Sequence, residues 1–100
     1  MNETQFKQKV QKFLDSQGVY HVKQLGCAYT KSGIPDLLAC VNGYFLGIEL
    51  KVKPNKPSEL QLYNVDQIRK AGGVAFILYP EDFEDFKKIV KELMNDGNQK

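Results

Sequence analysis

Asn42-Gly43 stands between two apolar runs, LLACV and YFLGIEL, and constrains this chain more than any other pair of residues. A two-residue type I′ turn needs positive φ at both central positions, and Asn-Gly meets that need at the least steric cost. The flanking runs are therefore expected to form an antiparallel hairpin with Val41 opposite Tyr44. Counting outward in that register brings Asp36 opposite Glu49. Side chains alternate along a strand, so Asp36, Leu38, Cys40, Phe45, Gly47, Glu49 and Lys51 share one face. Leu37, Ala39, Val41, Leu46, Ile48, Leu50 and Val52 share the other.

The rest of the chain supplies what such a hairpin packs against. Asn2, with Gln5 three residues on, opens a helix carrying Phe6, Val10, Phe13 and Leu14 on one face, and Gly18 stops it. VYHVKQL reads as a strand, and GCAYTKSG as a loop. Ser58-x-x-Gln61 matches a capping box and opens a second helix that runs to about Ala71, ended by Gly72-Gly73. VAFIL is a short buried strand. PEDFEDFKKIVKELM is a helix with Phe83, Phe86, Ile89, Val90 and Leu93 on one face and acids in its first turn. The order is α-β-β-β-α-β-α. A helix between the third and fourth strands makes that pair parallel, so an α/β domain with a mixed sheet and helices on both faces is expected. Covering both faces would explain why both faces of the hairpin carry apolar residues.

One hundred residues, 42% apolar and 26% charged, suit a single domain over 1–100 with a radius of gyration of about 13 Å. Cys27 and Cys40 lie in no metal-ligand spacing, and His21 is the only histidine, which disfavours structural zinc. Both are read as reduced thiols, with Cys40 in the core. The polar N-terminus is unlike a signal peptide and no apolar run reaches membrane-spanning length, so a soluble cytoplasmic protein is expected. Net charge is +2, but residues 1–80 hold ten Lys/Arg against six Asp/Glu. That surplus is compatible with phosphate binding.

Opposed carboxylates repel across a strand pair, and an apolar surrounding raises the cost. A cation must offset Asp36 and Glu49. Lys51 can do so as a structural ion pair; a divalent metal can do so as a site, with the Leu50 carbonyl as a further oxygen ligand. Such ligands suit Mg²⁺ or Mn²⁺. Spacing alone leaves the two readings equal. Nearby, Lys53 and Lys56 in VKPNKPS lie where backbone phosphates would pass, although a solvated loop has the same composition. Tyr29 and Lys31 precede Gly33, Tyr29 being able to stack on a base. Gln61 serves either the site or its own helix cap.

The stretch GIPDLLACVNGYFLGIELK resembles the PD-(D/E)XK nuclease signature, with Pro35-Asp36 as one half and Glu49-Leu50-Lys51 as the other. KPSELQ, then AGG and an apolar strand, narrow the likeness to the VRR-NUC subgroup of virus-type replication-repair nucleases, in its standalone phage or bacterial form. The resemblance spans residues 3–78 and implies the restriction-endonuclease-like core α-β-β-β-α-β followed by a C-terminal helix. It favours metal over ion pair. It implies Asp36 and Glu49 as metal-binding carboxylates with the Leu50 carbonyl assisting, and Glu3 as the available match to an acid from the first helix. Lys51 would position water or stabilise the phosphate in flight, with Gln61 beside it. Lys31, Lys53, Lys56, Ser58 and Tyr29 would contact DNA. The implied activity is a Mg²⁺- or Mn²⁺-dependent DNA endonuclease of repair and recombination. A homodimer resolving four-way (Holliday) junctions by paired incisions is the first expectation. A nonspecific or flap-directed nuclease is the alternative within the class, and a non-catalytic nucleic-acid-binding module on a nuclease fold the alternative outside it. A retaining glycosidase also uses two close carboxylates, but the small domain and Lys51 argue against it.

Overall fold

The computed structural model describes residues 1–24 and 32–96. Helix α1 (Glu3–Ser16) is followed by strands β1 (Tyr20–Lys23), β2 (Leu37–Val41) and β3 (Tyr44–Leu50), helix α2 (Glu59–Lys70), strand β4 (Val74–Leu78) and helix α3 (Phe83–Met94), the last entered through a 3-10 turn at Pro80–Asp82. The sheet order is β1-β2-β3-β4, with β1-β2 and β2-β3 antiparallel and β3-β4 parallel. This is an α/β domain with a mixed sheet and a radius of gyration of 13.2 Å. No described helix is long and apolar enough to cross a membrane.

Alternation along the hairpin decides where the core lies. Leu37, Ala39, Val41, Leu46, Ile48 and Leu50 are all buried, against Phe6, Val10 and Leu14 of α1 and Phe83, Phe86 and Val90 of α3. Edge-to-face rings join the two helices, Phe6 to Phe83 at 6.2 Å and Phe13 to Phe86 at 6.1 Å. On the opposite face α2 packs over β3 and β4, with Val65 buried. Gly47 makes that approach possible, since a Cβ there would sit 2.6 Å from Ile68 Cδ1 and 3.2 Å from Pro35 Cγ.

Helix α2 covers only part of its face. Cys40 is exposed, which corrects the expectation that it lies in the core; Phe45 is 47%, Tyr20 73% and Val22 42% exposed. These side chains and Leu38 line an open apolar surface over β1, β2 and the start of β3. The far edge is managed differently: the Arg69 guanidinium donates from Nε and Nη2 to the Ala75 carbonyl of β4, occupying an acceptor on an edge strand.

The turn at Asn42-Gly43 has the positive φ expected, +51° and +87°. Its asparagine does more than turn the chain. Asn42 Nδ2 donates to the carbonyls of Leu93 (3.0 Å) and Asp96 (3.1 Å), satisfying groups at the end of α3. Tyr44 Oη bonds Asp96 Oδ2 beside them. Asn42→Gly keeps the turn and loses only the bonds to α3, whereas Asn42→Ala also strains the φ. Urea unfolding should show a loss of about 1 kcal/mol for the glycine variant and about 2 for the alanine, with unchanged m-values.

Candidate active site

The predicted register holds through all five ladder pairs, from Val41↔Tyr44 to Leu37↔Ile48, and stops there. Asp36 therefore does not form a ladder pair with Glu49, which corrects the expected direct opposition. The reason lies one residue earlier. Continuing the register would have the Leu50 N–H donate to the Pro35 carbonyl. Instead the Asp36 side chain bends across, and its Oδ2 accepts the Leu50 N–H at 2.9 Å. The Asp36 carbonyl accepts from Gln24 N on the other side, at 2.8 Å. Asp36 is thus held from both sides, by Gln24 just after β1 and by Leu50 of β3, and still lies beside Glu49.

Glu49 sits near the end of β3, between β2 and β4, where it pairs with Ile77. It is 1% exposed. Lys51 Nζ approaches its Oε2 at 3.4 Å, and the Lys51 side chain is itself only 13% exposed. The other oxygen, Oε1, is buried and has no hydrogen-bond partner. Burial pushes the Glu49 carboxyl up to about 7, and the neighbouring Asp36 charge adds to the rise, while Lys51 opposes it. One lysine thus falls short of offsetting a desolvated acid and its acidic neighbour. A buried carboxylate oxygen without a donor is what a divalent cation would satisfy, so these residues fit the group that the family resemblance implies.

The other expected site residues fall into distinct places. Glu3 Oε2 accepts from Asn55 Nδ2 at 3.2 Å. Among the described residues no three His, Cys, Asp or Glu side chains gather as a metal-holding group, so Glu3 does not join Asp36 and Glu49. Gln61 is committed to its helix: its Oε1 accepts from Ser58 N (2.9 Å), and Ser58 Oγ accepts from Gln61 N (3.1 Å). That cap uses the acceptor end of the amide and leaves its NH₂ group to donate. Lys53 is paired with Glu81 at 2.5 Å, Lys56 is exposed, and Ser58 is the α2 N-cap. Tyr29 and Lys31, like Cys27, lie outside the described residues. His21 pairs with Asp15, Nε2 to Oδ1 at 2.8 Å.

Two supports were not anticipated. Tyr79 Oη donates to the Asn55 carbonyl at 2.9 Å, tying the loop after Lys51 to the end of β4. Asn64, 5% exposed in the interior of α2, donates to the carbonyls of Ser32 (3.3 Å) and Leu60 (2.9 Å). Its signal in the sequence is slight: asparagine is a poor helix-interior residue, and this one follows Gln61 by three positions. No family profile, curated protein or solved structure matches this chain.

Proposed function

We propose that this chain is a metal-dependent DNA endonuclease of the PD-(D/E)XK type, closest in its motifs to VRR-NUC domains. The observation that carries the reading is the buried Glu49 carboxyl, with Oε1 unpartnered, beside Asp36 and Lys51. Asp36, Glu49 and the Leu50 carbonyl would hold Mg²⁺ or Mn²⁺, which supplies an acidified water and neutralisation of charge on phosphate when bound. Lys51 adds a positive charge whose ammonium is placed by Glu49, suited to steadying a phosphate oxygen or orienting the water. Gln61 has its acceptor occupied by the cap, so it acts as a donor toward phosphate or water and not as a base. Lys56 lies on the exposed loop beyond the site, where a DNA backbone would pass. Lys53 would have to leave Glu81 to do the same.

A small domain of this kind selects DNA by shape. A two-fold dimer presents two such sites to a two-fold substrate, and a four-way junction is the substrate that fits. The open apolar face of Tyr20, Val22, Cys40 and Phe45 supports self-association, because a second copy would cover it. Val22→Arg should convert a dimer into a monomer in light scattering and reduce paired incision to single nicks. Identical masses for the two proteins would sink that placement of the dimer.

The Lys51–Glu49 pair at 3.4 Å favours one rival, a binding module in which the lysine is only structural. Labelled four-way junction, flap and linear duplex, each with Mg²⁺, Mn²⁺ or EDTA, decide between them. Metal-dependent cleavage with the junction preferred is expected. Binding of all three DNAs without cleavage would establish the module instead, and equal cleavage of the three would leave a nonspecific nuclease.

A further inference from the structure

Asp36 enters the site from residues 32–35, and that approach is fastened to α2 at successive points. The Ser32 carbonyl receives the Asn64 amide at 3.3 Å, and the same amide group bonds the Leu60 carbonyl at 2.9 Å. Gly33, at φ +80°, lies so close to the helix that a Cβ would stand 2.7 Å from Leu60 Cγ and 2.8 Å from Asn64 Nδ2. Pro35 is buried over Gly47, where Ile68 of the same helix also packs. Gln24, just after β1, and Leu50 of β3 hold Asp36 itself through their amides. Helix α2 holds what delivers it.

We propose that Asn64 is a positioning residue for Asp36: its buried amide sets the distance of residues 32–35 from α2 and so where the Asp36 carboxylate stands relative to Glu49. A primary amide suits this position because it has two donors, one for each of two carbonyls in different segments. An apolar residue of similar size would fill the space but leave the Ser32 carbonyl without that donor and the approach without its tie. Asn64 also lies one turn along α2 from Gln61, so one helix would set both the acid and the amide donor of the site. The consequence for chemistry rests on the metal-site reading above; the positioning of Asp36 does not.

The Leu50 amide is a built-in reporter, since its hydrogen bond is to Asp36 Oδ2. In ¹H–¹⁵N spectra of metal-free protein, Asp36→Ala marks where that resonance lies once the bond is lost. Asn64→Leu should move the Leu50 resonance most of the way to that mark and speed its exchange, while the amides of α1 and α3 keep their protection. Mn²⁺ titrated into the same proteins should bind Asn64→Leu about tenfold more weakly than wild type, the lower end of what loss of an outer support of a metal ligand costs. DNA cleavage should fall in kcat with KM unchanged. If Asn64→Leu does not fold, Asn64→Ala, which removes the amide and favours the helix, is read the same way. An unmoved Leu50 resonance, or loss of protection spread evenly over the molecule, would overturn the proposal. Absence of Mn²⁺ binding by the wild type would instead overturn the metal-site reading, with the spectra still deciding the role of Asn64.

Discussion

Glu49→Gln is expected to lower DNA cleavage by at least about a hundredfold and at the same time to stabilise the metal-free protein at pH 8. The two effects have one cause. An ionised Glu49 is 1% exposed, beside Asp36, and has one oxygen without a donor. The rise of its pKa from 4.5 to about 7 corresponds to a cost on the order of 3 kcal/mol for the charged form. Glutamine keeps the shape and removes the charge, so a gain of about 2 kcal/mol is expected in urea unfolding, less whatever the amide loses in its contacts. On the metal-site reading the same change would also remove a ligand for the cation, and with it the means of neutralising the phosphate. Stabilisation together with inactivation would mark Glu49 as held in place against its own electrostatics. A destabilised Glu49→Gln would show that Lys51 already balances the pair as a structural bridge.

The second large effect is on pH. A carboxyl whose pKa is higher folded than unfolded binds protons more tightly in the native state, so stability falls as pH rises between the two values. For Glu49 that window runs from about 4.5 to about 7. Metal-free protein should lose on the order of 3 kcal/mol across it, and Glu49→Gln should be nearly flat. Glu81 and Glu84 shift the other way, lowered by hydrogen bonds from Lys53 and Lys87. Their contribution is lost only as pH falls below the ordinary carboxylate range, so it does not mask the Glu49 slope. Mn²⁺ should raise the melting temperature strongly at pH 8 and weakly at pH 5, because protons compete with the cation for the carboxylate. Thermal melts at both pH values, with and without Mn²⁺, test this. Stability that climbs through the window would refute the assignment.

Much of the hairpin and of where the candidate residues lie could be read from local chemistry. Asn42-Gly43 fixed the turn, the turn fixed the register, and the register separated the buried face of Leu37, Leu46 and Ile48 from the face of Glu49 and Lys51. The capping box of Ser58 and Gln61 was equally local. What escaped depended on contacts between distant segments. The ladder ends at Leu37 because the Leu50 N–H goes to the Asp36 carboxylate and not to the Pro35 carbonyl. Helix α2 lies over β3 and β4 and leaves Cys40, Phe45 and Tyr20 uncovered, because where a crossover helix settles is not written in strand alternation. Asn64 carries no motif; its partner Ser32 is 32 residues away.

The most direct measurement is anomalous scattering from a Mn²⁺-soaked crystal, collected near the manganese edge. The expected result is a peak between the carboxylates of Asp36 and Glu49, with Glu49 Oε1 among its ligands and Lys51 still beside Glu49 Oε2. An empty site at saturating Mn²⁺, with Lys51 Nζ bridging both acids, would contradict the reading of this hairpin as a metal centre and leave it a buried ion pair.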